Sequence, residues 1–255
     1  MILFLVNAII VLFLAAPILV VMATAFTTTG YPVFPPEGFT LKWFARVFET
    51  GEFTDAAQLS ALLAICATAI ACTLGTLTAL GLSRWKGRGQ SALSAFVLSP
   101  ILFPTIVLGL ALLVFYSRIG LQGSFLGLVI GHSIITTPFV VRLVMASLSE
   151  FDPAVEEAAR NLGAGWWRTF FQVTLPLIRP GVLAGGVFAF ILSFDELVVT
   201  LFLAAPGMST LPMRIFTFVQ YSSEPTISAI ATMLIVVWAL IGVPLYARFL
   251  SIRHK

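Results

Sequence analysis

The length and purity of its apolar runs constrain this chain more than any other feature. Six stretches, residues 2–26, 57–82, 93–116, 124–145, 182–203 and 226–249, stay predominantly apolar for long enough to matter. A bilayer core about 30 Å thick needs about 20 apolar residues per helix. Every backbone amide inside hydrocarbon must be satisfied within the protein, which leaves helices or a closed barrel. Barrel strands alternate polar and apolar residues, and these runs do not. The expected fold is all-α, a polytopic membrane protein with six transmembrane helices. Only 10% of residues are charged, against about 25% in a soluble domain. The apolar mass is spread along the whole length, so residues 1–255 read as one membrane domain surrounded by lipid.

The few charges orient it. Residues 23–25, Ala-Thr-Ala, resemble a signal-peptide cleavage site. The run before them is longer than a signal core and no Lys or Arg precedes it, so it reads as a retained helix. With both termini in the cytoplasm, the inner segments carry Arg84, Lys86, Arg88, Arg142, Arg160, Arg168, Arg179, Arg248, Arg253 and Lys255. The outer segments carry Lys42, Arg46, Arg118 and Arg214. That asymmetry satisfies the positive-inside rule. Residues 83–90 read as a topology signal and lipid contact rather than a nucleic-acid site.

Other residues fill in the architecture. Pro17, Pro100, Pro104, Pro138 and Pro244 are expected to kink or break helices, with Pro100 and Pro104 opening the third. Gly123, Gly127 and Gly131 form a small-residue stripe suited to close packing within the chain. Residues 27–38 read as irregular loop, and 41–48 as a short interfacial helix with Trp43 at headgroup level. Cys66 and Cys72 point to different helical faces and make no disulfide or metal site. His132 reads as a packed, hydrogen-bonded histidine and His254 as part of a solvated basic tail. No H-E-x-x-H or nucleophile-elbow motif is present.

The one long polar stretch between apolar runs, about 149–180, has a definite plan. Asp152-Pro153 suits an N-cap followed by proline at the first helical position. Glu156 and Glu157 then fall in or near the first turn, where acids complement the helix dipole. Ala154, Val155, Ala158, Ala159 and Leu162 give the short helix an apolar side. Gly163 suits a left-handed stop. A second helix restarts at Gly165-Trp166-Trp167-Arg168, and Pro176 and Pro180 are expected to end it before the fifth span.

Within that stretch, Glu157-Ala158-Ala159, three residues, Gly163, nine residues, Val173, one residue and Leu175-Pro176 form a complete spaced motif. It resembles the cytoplasmic signature of the membrane subunits of binding-protein-dependent ABC importers; Val173 stands where isoleucine is common. The resemblance implies that the loop docks into a groove on a separate ATPase subunit. Glu156, Glu157, Ala158, Ala159, Gly163, Leu175 and Pro176 would be the ATPase-coupling residues. Glu157 would meet a basic residue of the ATPase, the two alanines would allow close approach, and Gly163 would supply the turn. The chain has no G-x-x-x-x-G-K-[ST] phosphate loop. It would hold no cofactor, with ATP and Mg bound by the ATPase.

Asp195 and Glu196 are the acids expected inside a span. They fall about 13 residues past Val182, about 20 Å along the helix. A carboxylate in the bilayer costs about 3 kcal/mol, so it should face a cavity or a cation. Two readings stand: the pair lines a path, together with Thr200, or it bonds to helix ends or to a partner's basic side chain. The run from Ser193 to Leu203 resembles the spermidine/putrescine branch of the permease family, and Thr210-Leu211-Pro212 followed by Arg214 adds to the likeness. A polycationic cargo suits intramembrane carboxylates.

The resemblance therefore implies a non-enzymatic permease subunit of a type I importer in a bacterial inner membrane. Its implied partners are a second permease, two ATPase copies and a periplasmic or lipoprotein solute-binding protein, with no nucleic acid. Alternative cargoes are 4-aminobutyrate, an opine-like compound or an aminophosphonate. The rival classes are an ion channel and an intramembrane enzyme built on Asp195 and Glu196.

Overall fold

The computed structural model describes the backbone of residues 2–85, 87–150 and 152–253, and the side chains of these except 2, 243 and 245–253. The charge assignments at Lys86, Arg248, Arg253 and Lys255, and the reading of His254, lie outside the described residues or side chains. Among the described residues all regular structure is helical. In chain order the α-helices are α1 Ile2–Thr24, α2 Lys42–Glu49, α3 Glu52–Arg84, α4 Gln90–Leu98, α5 Thr105–Ile119, α6 Phe125–Ser149 and α7 Ala154–Asn161. They continue as α8 Trp166–Thr169, α9 Leu175–Asp195, α10 Val198–Leu203, α11 Leu211–Tyr221 and α12 Thr226–Arg253.

Among the described residues, four helical stretches are long and apolar enough to cross a bilayer unaided: Leu3–Thr24, α3, α6 and the run Trp166–Asp195. The third apolar run is bent. α4 and a short 3₁₀ turn at Ser99–Ile101 meet α5 at 99°, and the break falls at Pro104. Pro104 thus divides this run rather than merely opening it, because proline disfavours the α conformation in the residue before it, while Pro100 sits within the 3₁₀ turn after a helical Ser99. The sixth run is α12, 28 residues long.

Elsewhere proline does not interrupt. α6 continues through Pro138 and α1 through Pro17. Pro176 and Pro180, expected to end the second loop helix, sit inside one continuous run of 30 residues from Trp166 to Asp195. A π turn at Phe170–Thr174 joins α8 to α9. It widens the backbone just where the Pro176 ring would crowd the carbonyl four residues back.

The chain packs as two units. One comprises residues up to Asp55 together with those from Arg214. Here the Thr24 hydroxyl donates to Ser228 Oγ at 3.0 Å, tying α1 to α12. Arg46 pairs with Glu224 at 2.9 Å, and Arg214 pairs with Glu52. Trp43 is 5% exposed, its indole N–H donating to Thr27 O at 2.7 Å. A backbone acceptor within reach lets the ring bury its polar end.

The other unit, Ala56–Met213, carries the motif. Its centre is α6 against α9. A side chain at Gly185 would come within 3.1 Å of the Val140 Cα, and one at Gly181 within 2.7 Å of Leu143 O. This is a small-xxx-small contact, and it lets the two backbones meet. Val140, Val141, Val144, Ile178 and Ala189 are fully buried along the seam. A second cluster, Leu63, Leu112, Tyr116, Leu128, Val199 and Leu203, fixes α10 against α5 and α6. Gly131 lies under Leu203 within the chain, as the stripe suggested, but Gly123 sits in a turn at φ +69° rather than on the helix.

Candidate functional site

The motif loop is built by local rules. The Asp152 carboxylate accepts the Ala154 N–H at 2.9 Å, and Pro153 already has helical angles. α7 is closed by a Schellman turn: Gly163 N–H bonds to Arg160 O at 2.9 Å and Ala164 N–H to Ala159 O at 3.1 Å. Gly163 has φ +87°, which L side chains avoid, although a Cβ there would meet nothing within 4 Å. Backbone conformation alone demands the glycine.

The two glutamates of α7 part company. Glu156 is mostly buried, its side chain 13% exposed, and Arg84 Nη2 donates to its Oε1 at 2.7 Å. The buried Thr174 hydroxyl donates to the same oxygen. Glu157 is exposed, with no partner among the described residues. Beside it Ala158 is exposed and Ala159 half-buried. Leu162, at the tip, is 90% exposed. Trp166 and Trp167, also exposed, stack on Phe170 and Phe171 one turn on. At the motif's end Leu175 packs against the core while Pro176 is exposed. The loop thus presents Glu157, Ala158 and Leu162 outward from a helix fixed at both ends.

The acidic pair does not lie within a continuous helix, as the apolar run predicted. α9 stops at Asp195, Glu196 is extended (φ −71°, ψ 115°), and the chain restarts at Val198. Glu196 Oε1 accepts the Val199 N–H at 2.9 Å, capping α10. Asp195 is exposed and free of hydrogen bonds and ion pairs among the described residues. The helix that carries it runs from Trp166 to Asp195, 30 residues in all.

Thr200 is fully buried; its hydroxyl donates to Glu196 O at 2.9 Å and faces His132 Nε2 at 3.0 Å. His132, also fully buried, sits 2.9 Å by Nδ1 from Ser193 Oγ. Thr200 has one proton and spends it on Glu196 O, so His132 Nε2–H donates to Thr200 Oγ1. Nδ1 on the other side of the ring pairs with Ser193. One imidazole on α6 therefore ties the end of α9 to the start of α10. The sequence reading of His132 as packed and hydrogen-bonded agrees, but its partners, 61 and 68 residues away, carry no local signal. The same is true of Arg84 as the partner of Glu156.

Residues 71–250 match the family described as binding-protein-dependent transport system inner membrane component. The chain is 34% identical over 224 residues to the spermidine/putrescine transport system permease protein PotC of Escherichia coli strain K12, covering 88% of this chain and 84% of that one. It is 31% identical over 237 residues to the putrescine permease PotI of the same strain, covering 90% and 84%. The molybdenum transport system permease ModB of Haemophilus influenzae is also 31% identical, over 217 residues, covering 79% and 94%. In fold it is similar to a bacterial ABC transporter involved in import of the acidic polysaccharide alginate, with TM-score 0.73 at 17% identity, covering 97% and 96% of the two chains.

Proposed function

This chain belongs to the family of binding-protein-dependent transport system inner membrane components, a transport subunit rather than an enzyme, and from that premise we propose that it imports a polyamine such as spermidine or putrescine. The relatives named for polyamines carry this reading. A relative named for molybdenum stands at the same 31% identity as PotI, so identity alone does not choose the cargo. The free carboxylate of Asp195 favours a cation. A protonated amine arriving from the binding protein would meet, at the open end of α9, an acid that no group among the described residues neutralises.

The proposal extends to the assembly. The chain, 1–255, works as one permease domain beside a second permease subunit. Two ATPase subunits bind ATP and Mg and dock on α7 and the turn at Gly163. A solute-binding protein delivers cargo from the outside. ATP closes the ATPase pair, the docked loop moves with it, and hydrolysis reopens it. Both termini lie in the cytoplasm.

Two experiments test this. The assembled transporter in proteoliposomes, with its binding protein, should take up spermidine only with ATP on the ATPase side; failure with spermidine and putrescine alike would remove the polyamine reading. For orientation, single cysteines would be placed at Gly30 and Gly165, where an added Cβ meets nothing within 4 Å, after Cys66 and Cys72 are replaced. An impermeant thiol reagent on intact cells should label the first and spare the second; the reverse pattern would overturn the orientation.

A further inference from the structure

The contacts of Glu156 divide the motif's acids by task. An oxygen that accepts both an arginine and a buried threonine hydroxyl is spent inside the chain, and the side chain is only 13% exposed. Glu156 cannot reach a separate ATPase without breaking those bonds. We propose that Arg84 is a positioning residue for coupling: through Glu156 it ties the inner end of α3 to the docking helix α7, and Thr174 ties the same oxygen to the π turn that leads into α9. This inference rests on the docking role given to the loop above.

The geometry makes the carboxylate a three-way joint. Arg84 is the last residue of α3, a helix of 33 residues. Thr174 is the last residue of the π turn Phe170–Thr174, a wider and less regular coil than the helices on either side. Without the joint, α7 would lose its ion pair to α3, and a push on α7 would reach α9 through the turn at Gly163 and the packing of α7 on α8 and the π turn. With it, the push reaches α3 and α9 together.

The test uses the whole assembled transporter in proteoliposomes, with spermidine as the probe. Arg84→Gln should lower spermidine taken up per ATP hydrolysed by about fivefold, the low end of ordinary coupling effects, while the ATPase subunits still co-purify in wild-type proportion. Glu156→Arg alone should do the same, and the exchanged pair Arg84→Glu with Glu156→Arg should regain most of the loss. Thr174→Val should lower the ratio less. A merely structural role would change thermal stability but not uptake per ATP, and no exchange would restore that ratio. An unchanged ratio in Arg84→Gln overturns the inference. Glu157→Lys is run alongside: if it loses the ATPase while Arg84→Gln couples normally, docking stands and the joint fails. If neither variant has an effect, the docking role itself fails.

Discussion

Two helices of this molecule end in opposite ways. α7 is stopped by its own neighbours: a glycine at φ +87° and two backbone bonds within the same turn. α9 is stopped where no proline or glycine stands, at Asp195-Glu196, and the break is held by a neighbouring helix as well as by a local cap. His132 of α6 bonds to Ser193 on one side and Thr200 on the other, and Glu196 caps α10. A turn that carries its own instructions can move as a rigid body with whatever docks on it. A break held by a neighbouring helix stays registered to that helix, which keeps the Asp195 carboxylate in one place relative to α6. The stop of α7 is local and the break after α9 is tertiary.

The sharpest way to break this contrast is at Gly163. Proline holds φ near −65°, so Gly163→Pro opposes a backbone held at φ +87°. The cost is about 3 kcal/mol or more, confined to the loop. With Glu157→Lys added, uptake should fall to background and the ATPase should no longer co-purify, while the binding protein keeps its substrate affinity. Wild-type transport by this double variant would end the coupling assignment.

The break should respond differently. His132→Leu leaves the Ser193 hydroxyl without its imidazole, while Thr200 keeps its bond to Glu196 O, and should cost about 1–3 kcal/mol, the cost of one buried group left unpaired. Thermal melting of the purified complex reads this directly, and His132→Gln, which offers both a donor and an acceptor, should return about half. An unchanged melting temperature in His132→Leu would mean that α10 holds its place without the histidine. Smaller still is Glu196→Gln. It keeps an acceptor for the Val199 N–H but loses the charge that strengthens the bond, so melting should show a loss of about 0.5–1 kcal/mol with uptake nearly intact. A large loss of uptake at unchanged stability would move Glu196 from the cap to the path.

The same contrast explains which features are legible in the sequence. Asp152, Pro153 and Gly163 act on residues within a few positions of themselves, so reading them in order is enough to draw α7 and its stop. The apolar runs likewise announce helices, because helix and bilayer share one length scale. The division of labour between Glu156 and Glu157 is not legible, since Arg84 is 72 residues away in the chain. Nor is the break in the fifth run, where an apolar sequence continues on both sides and the histidine that bridges it sits on α6. The continuation through Pro176 is hidden for a related reason: the π turn that absorbs the ring is a cooperative property of the backbone, with no residue type to mark it. The seam at Gly181 and Gly185 does carry a sequence signal, a four-residue spacing of the same kind as that of Gly123, Gly127 and Gly131.

The most direct measurement of the proposed division between coupling at α7 and cargo contact at Asp195 is spermidine uptake by Asp195→Asn in the assembled, proteoliposome-reconstituted transporter, beside Glu196→Gln and the wild type. The substitution keeps size and hydrogen-bonding capacity and removes only charge, and Asp195 has no internal partner to lose among the described residues. Asp195→Asn should assemble and melt as the wild type does while uptake drops about tenfold, the equivalent of about 1.4 kcal/mol. Binding-protein affinity for spermidine should be unchanged, and Glu196→Gln should show the opposite pattern. Wild-type uptake by Asp195→Asn would contradict the assignment of that carboxylate to a cationic cargo.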